Sequence, residues 1–229
     1  MKSSLAILTL LIGVSVACSA YKSAGSQSLV NSNSAVAQSP AQANNASGQD
    51  KLPCTLTVDQ APDIKGLRLG MTADEVLAPF PGSKEDAEVS SGLSAIGQFG
   101  TSSFVIRPEK YESKEKFAGI SQILVSLLDG RVSKLYFGYN GPEYSHVDKF
   151  VAKFSEGSNL PAPDAWEAYV GMDTQLKTLT CKEFEIRIFA GGKGGSLNYA
   201  EIRDLVAEKK LKDRRTKARE KATPPPEKQ

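Results

Sequence analysis

The sequence predicts an α+β fold: a single antiparallel β-sheet of about five to six strands with two to three helices, preceded by a disordered tether. Apolar and polar residues alternate through several short segments, which is typical of half-buried strands. The dipeptide Asp129-Gly130 separates two of these segments and is a strong hairpin signal, because both turn residues need a positive φ. Strands that follow one another through short turns favour an antiparallel sheet with its helices on one face.

The predicted domain covers residues 51–211. A capping box formed by Thr72 and Glu75 opens a short helix that Pro79 and Pro81 end, and apolar residues at spacings of three and four indicate a second helix over 144–154. Residues 82–97 are rich in Ser, Gly and acidic residues and predict a loop, and a last helix is expected from about Asn198. The predicted strands are 55–58, 103–107, 120–128, 131–139, 175–181 and 184–189.

The N-terminus is typical of an export signal. Leu5 to Val16 form an apolar run with the length of a signal sequence, too short to span a bilayer. The end of this run, Ser15-Val16-Ala17-Cys18, resembles the lipobox of bacterial lipoproteins, although Ser15 stands where that family usually has Leu. The resemblance implies a signal peptide over residues 1–17 and a lipid on Cys18. Cleavage nearby, for example after Ala20, would instead release a soluble protein.

Residues 18–50 predict a disordered tether. They are mainly Ser, Asn, Gln and Ala, and such a segment buries too little apolar surface to offset its ordering entropy. A tether directly after a lipidated Cys18 would hold the domain at a distance from the membrane. Ser19, which follows that Cys where an Asp could stand, resembles the signal for sorting to the outer membrane in Gram-negative bacteria. We therefore expect a cell-envelope protein at the outer membrane facing the periplasm, or a soluble periplasmic or secreted protein if Cys18 carries no lipid.

Two cysteines remain in the mature chain under either cleavage. An exported compartment is oxidising, so Cys54 and Cys181 are expected to form a disulfide that ties the start of the domain to a late strand. The loop between them is long, and a chain-entropy model gives at most roughly 4–5 kcal/mol of stabilisation. The alternative is two buried free thiols.

A motif near the start of the domain carries a family resemblance. Gly66-Leu67-Arg68-Leu69-Gly70-Met71-Thr72, followed by Glu75-Val76, resembles the start of small envelope lipoproteins of the SmpA/OmlA type and the related β-lactamase-inhibitor-protein fold. The resemblance implies a similar order of helix, three strands, helix and two strands. It implies a role in outer-membrane assembly or enzyme inhibition, and it supplies no catalytic residues.

Composition argues against several classes of function. A net charge of +2 is too small to favour a nucleic-acid partner, and one His with three Cys leaves little material for a metal site, so no metal and no cofactor are expected. The segment Phe189 to Ser196 is Gly-rich between a predicted strand and helix, but it lacks the Gly-Lys-Ser/Thr ending of a phosphate-binding loop.

Three further sets of residues are candidates for a catalytic or ligand-binding site: one histidine, three glutamates and four aromatic residues. His146 is better explained as a surface residue than as a catalytic base, because Asp148 lies two residues away on a helix. Three acidic residues could supply a carboxylate pair for glycosidase chemistry, but they lie among lysines, which indicates solvated charge: Glu109, Glu112 and Glu115. Four aromatic residues could line a ligand groove, but an ordinary aromatic core explains them better: Phe137, Tyr139, Trp166 and Tyr169.

The C-terminal region is strongly basic. Residues 203–221 contain nine basic and four acidic side chains, and 212–229 are expected to be a basic helical end with a disordered Pro-rich tail. Such a segment is either a solvated helix, which we favour, or a contact for anionic lipid or an acidic partner.

The sequence therefore favours a non-enzymatic, exported binding or assembly module anchored through Cys18, with another envelope protein as its partner. The alternatives are a periplasmic enzyme inhibitor or sensor domain and, more remotely, a hydrolase with an unrecognised site.

Overall fold

The computed structural model describes residues 53–141, 144, 146–170, 175–191 and 198–222. The predicted signal peptide, the predicted tether and Cys18 lie outside the described residues. The α+β class with a single sheet is confirmed, and the sheet has seven antiparallel strands rather than five to six. They are β1 (Thr101–Ile106), β2 (Ile120–Leu128), β3 (Arg131–Tyr139), β4 (Glu167–Val170), β5 (Gln175–Thr180), β6 (Phe184–Ala190) and β7 (Asn198–Asp204).

The spatial order of the strands is β1-β2-β3-β7-β6-β5-β4, so the last strand enters between the two halves of the sheet. The β2–β3 hairpin has the predicted bounds, and Asp129 adopts the positive φ of 53° that its turn requires. β7 pairs with β3 through Leu135 opposite Ile202, and with β6 through Ile186 opposite Ile202. These three side chains are fully buried at the centre of the sheet.

Four helices complete the described fold: α1 (Ala73–Leu77), α2 (Ala87–Ser94), α3 (Val147–Ser155) and α4 (Leu205–Ala222). Helices α1 to α3 contribute Val76, Val89 and Phe150 to one core with the apolar side chains of the sheet, so one face of the sheet is covered. The predicted capping box at Thr72 is present, since its Oγ1 accepts from the Glu75 N–H at 3.3 Å.

Four predictions about elements were wrong. Residues 82–97 contain α2, and 55–58 lead into a short 3₁₀ turn instead of forming a strand. β4 was missed, and the helix expected from Asn198 begins only at Leu205, because Asn198–Asp204 form β7. In β7 the side chains alternate between buried and half-buried positions, which is the pattern of a strand with one core face.

Candidate functional site

The second face of the sheet is the strongest candidate for a functional surface, and we call it the open face. Among the described residues, only α4 lies over it, at the end of the sheet that carries the β2–β3 turn. Its side chains are half-buried or exposed, whereas most of their neighbours along β2, β3, β6 and β7 are core residues. The strand registers place three rows of residues on it. They are Val105, Leu124, Tyr136, Glu201, Arg187, Thr178 and Glu167 in the first, Ser103, Ser126, Lys134, Arg203 and Glu185 in the second, and Gln122, Gly138, Tyr199, Phe189, Leu176 and Tyr169 in the third.

Three aromatic side chains form a stack along this face, which we call the aromatic ridge. Tyr199 of β7 stands between Tyr136 of β3 and Phe189 of β6, with 5.0 Å between ring centroids on each side. Burial raises the pKa of the Tyr136 and Tyr199 hydroxyls, so both stay protonated at neutral pH. The ridge therefore offers apolar ring edges and hydroxyl groups to a partner.

Ion pairs border the ridge and fix its charged side chains. Glu185, whose side chain is only 12% exposed, pairs with Arg187 at 2.6 Å and with Arg203. Glu201 pairs with Arg203 at 3.5 Å and with Lys134 at 3.8 Å. Since each cation is already held by a carboxylate, the charges of the open face are positioned before any partner arrives.

A groove of about 480 Å³ separates α4 from the open face. Its floor carries hydroxyl groups of Ser103, Ser126 and Ser133, and its wall on the helix side carries Leu211 and Arg215. The groove is thus polar below and mixed above, and it continues the open face towards the end of the sheet.

Helix α4 is fastened to the sheet by the tip of the β2–β3 hairpin. The Arg214 guanidinium donates to both Asp129 carboxylate oxygens at 2.8 Å and to the Phe99 carbonyl oxygen at 2.7 Å, and Lys210 Nζ lies 2.8 Å from Asp129 Oδ2. Hydrogen bonds from Arg214 and then Lys210 hold the pKa of Asp129 well below its usual range. The helix continues as one element past Leu211, where the sequence placed the domain boundary.

The disulfide lies where the described chain begins. Cys54 and Cys181 are bonded, with 4.4 Å between their Cα atoms and a sequence separation of 127 residues. The nearby Glu183 accepts from the Val58 N–H through its carboxylate at 3.2 Å and from the Leu205 N–H through its carbonyl at 2.9 Å. The start of the domain and the start of α4 therefore meet at the β5–β6 turn.

The structure does not assemble the weighed chemical candidates into a site. His146 is exposed and caps α3, with its Nδ1 accepting from the Asp148 N–H at 3.3 Å. The expectation that Asp148 faces away from His146 was wrong, because the N-cap position turns the two side chains together and puts Asp148 Oδ2 2.8 Å from His146 Nδ1. The same carboxylate also pairs with Lys177. Three glutamates lie exposed on two 3₁₀ turns: Glu109, Glu112 and Glu115.

The surroundings of the Gly-rich segment also differ from those of a phosphate-binding loop, which the sequence already disfavours. Residues 192–197 lie outside the described residues, but the segment joins β6 to β7, two neighbouring strands of the sheet. A phosphate-binding loop needs a helix N-terminus directly after it, and here the next described element is a strand.

The four aromatic groove candidates are dispersed. Phe137 and Trp166 are buried in the core, and Tyr169 is 67% exposed on the open face. Tyr139 lines a second cavity of about 820 Å³ beside α3, where its ring packs edge-on against Phe150 at 5.2 Å.

The described residues contain neither a cluster of metal ligands nor a membrane-spanning helix. No group of three or more His, Cys, Asp or Glu side chains is placed to hold a metal ion in this part of the chain. No helix there is both long and apolar enough to cross a bilayer.

Comparisons with known proteins leave the family open. No family model and no curated protein matches the sequence. Among solved structures, the chain is similar to a cysteine-rich secretory protein from Staphylococcus aureus, at 9% identity over 67% of this chain with a TM-score of 0.31. It is also similar to an extracellular protein containing an SCP domain from Bacillus anthracis, at 12% identity over 74% of this chain with a TM-score of 0.31. The match spans 50% of each of those chains.

The sequence alone does not indicate the aromatic ridge as a group. The helix expected from Asn198 includes Tyr199, while Tyr136 and Phe189 belong to two separate predicted strands, 131–139 and 184–189. The alternation of Tyr199, Glu201 and Arg203 with Asn198, Ala200 and Ile202 was the available signal for β7.

Proposed function

We propose that this chain is a non-enzymatic, exported binding module that recognises another envelope protein through the open face of its sheet. The observation that carries the proposal is the aromatic ridge, bordered by positioned charges, on a face that only α4 covers in part among the described residues. Tyr and Arg are the side chains most enriched at the energetic centre of protein interfaces.

The stacking geometry favours a protein partner over a sugar. A sugar ring is held against the flat face of an aromatic side chain, but both faces of Tyr199 are occupied by Tyr136 and Phe189. The cations Lys134, Arg187 and Arg203 are matched in number by three acids on the same face, so its charge is balanced. The acids are Glu167, Glu185 and Glu201. A protein surface with an apolar centre and a rim of both charges complements this arrangement.

Export and anchoring form a finer part of the proposal. The Cys54–Cys181 disulfide is compatible with an oxidising, exported location, which the apolar N-terminal run also favours. Lipidation of Cys18 and placement at the outer membrane rest on the lipobox resemblance alone. Mass spectrometry of protein extracted from its native membranes tests this part, since an N-terminal diacylated Cys18 supports it and an unmodified N-terminus at a later residue contradicts it.

Site-specific photo-cross-linking tests the open face. A benzophenone amino acid placed at Tyr136 should join the chain to one envelope protein, whereas the same group at Ile96 should not, although Ile96 is 72% exposed. The captured protein is then purified and its affinity measured by calorimetry. We expect Tyr199→Ala to weaken binding by about 30-fold or more, as for a central interface residue.

Ile96→Ala is the matched control, because it removes an exposed apolar side chain outside the open face. Unchanged affinity in this variant, with a loss in Tyr199→Ala, supports the proposal. Equal cross-linking from both positions, or an affinity that Tyr199→Ala leaves unchanged, contradicts it. Circular dichroism of each variant shows whether the fold is retained.

A further inference from the structure

We infer that the outward side of α4 docks on an anionic lipid surface. The helix carries eight basic and three acidic residues over Leu205–Ala222, while the whole chain has a net charge of +2, so the rest of the chain is net acidic. The positive charge is thus concentrated on a single element. The inference does not depend on the proposed role of the open face, because it concerns a different surface.

The attachment of α4 divides its cations into two groups. Lys210 and Arg214, one turn apart, both reach Asp129 and are used in holding the helix to the hairpin. Arg215 lines the groove between α4 and the sheet and so belongs to the inner side. Within residues 53–222, leaving aside the stretches that the structure does not describe, no carboxylate pairs with the four exposed cations that carry the inference: Lys209, Lys212, Lys217 and Lys221.

These four cations extend over more than three turns of an 18-residue helix. The stripe that faces the sheet contains Ala207, Leu211, Arg214 and Ala218, which are half-buried, so the exposed cations lie beside it and away from it. A fixed helix loses little further conformational freedom when it meets a charged surface. Each Lys or Arg near an anionic leaflet then adds to binding, and the additions accumulate along the helix.

The position of α4 fits a membrane better than it fits a protein in solution. Cys54, at the start of the described chain, is bonded to Cys181, and Glu183 beside it binds the first residue of α4. The described chain therefore begins next to the base of the basic helix.

Vesicle binding tests this inference. We use the mature chain from Ser19 onward, which carries no lipid, since an acylated chain would bind vesicles whatever α4 does. It should co-sediment with phosphatidylcholine vesicles containing about one third phosphatidylglycerol. It should not bind pure phosphatidylcholine, and raising salt from about 0.1 M to about 0.5 M should release it, because the attraction is screened.

A charge-matched pair of variants localises the effect. Lys209→Gln, Lys212→Gln and Lys217→Gln together should weaken binding to the anionic vesicles by roughly one hundred-fold. The control combines Lys65→Gln, Lys114→Gln and Lys149→Gln, which remove the same charge from exposed positions outside α4, and should change binding by less than about threefold.

Three results would overturn the inference. The first is that the mature chain does not bind anionic vesicles at low salt, and the second is that both triple variants lose binding equally. The third is that the α4 variant still binds vesicles but no longer binds the cross-linked protein, which would assign the helix to a protein partner. If the α4 triple variant loses vesicle binding but still binds the cross-linked protein, the result supports this inference independently of the proposed function.

Discussion

The two faces of the sheet are made by the same strands, yet they have different physical tasks. The covered face contains Phe137, Ile186 and Ile202, which are fully buried beneath the helices. One residue away along each strand, the open face contains Tyr136, Arg187 and Arg203. The covered face stabilises the fold by removing apolar surface from water. The open face is not needed for that purpose, so its aromatic and charged side chains are free to serve recognition.

The largest expected effect concerns the disulfide that closes the covered side, where Cys181 is 4% exposed within the core. Replacing both cysteines, Cys54→Ser with Cys181→Ser, should lower the free energy of unfolding by at most roughly 4–5 kcal/mol, because the unfolded chain is no longer constrained. Urea unfolding measures the loss. A reductant should reproduce it in the natural chain and have no effect in the variant, and two thiols that alkylate freely without reduction would contradict it.

A neighbouring pair on β3 tests the comparison directly. Phe137→Ala should lower the free energy of unfolding by about 3–5 kcal/mol, because it leaves a cavity in the covered core. Tyr136→Ala should cost about 1 kcal/mol, chiefly the lost stacking with Tyr199. Thermal and urea unfolding give both values. Equal losses at the two positions would show that the open face is as important for stability as the core.

The covered face was also the more predictable of the two. Local signals identified the β2–β3 hairpin, since its turn residues and its alternation lie within one short segment. β7 pairs with strands that are distant in sequence, and Ile202, Leu205 and Val206 have a helical spacing across its end, so the local pattern favoured a helix. The aromatic ridge requires β7 between β3 and β6, and it could not be assembled without that pairing.

Helix α2 shows how a close contact can hide an element from local propensity. Its Ser and Gly content predicted a loop, because Gly weakens a helix by about 1 kcal/mol relative to Ala. In the structure Gly92 allows α2 to lie against β1: a Cβ there would come within 2.3 Å of the Ser103 carbonyl oxygen. The Gly is thus explained by packing, which is a tertiary feature.

The smallest expected effect is at the junction between the open face and α4. Asp129→Asn keeps a residue that tolerates the positive φ of the turn but removes the charge that Arg214 and Lys210 share. We expect faster amide hydrogen exchange in α4 with little change in global stability. Asp213→Asn, an equal change of charge on the exposed side of the same helix, should leave exchange unaltered.

The ion pairs of Asp129 with Arg214 and Lys210 also predict how amide exchange in α4 depends on pH. Because the pKa of Asp129 is lowered in the folded protein, its contribution is fully present above the ordinary Asp pKa of about 3.9 and is lost as the pH falls through the lower folded value. Relative to the intrinsic exchange rate at each pH, protection of the α4 amides should therefore fall below about pH 3.9 in the natural chain, while Asp129→Asn already lacks this protection at neutral pH. If α4 exchanges at the same rate in both proteins at neutral pH, the ion pair does not hold the helix, and its half-buried stripe against the sheet does.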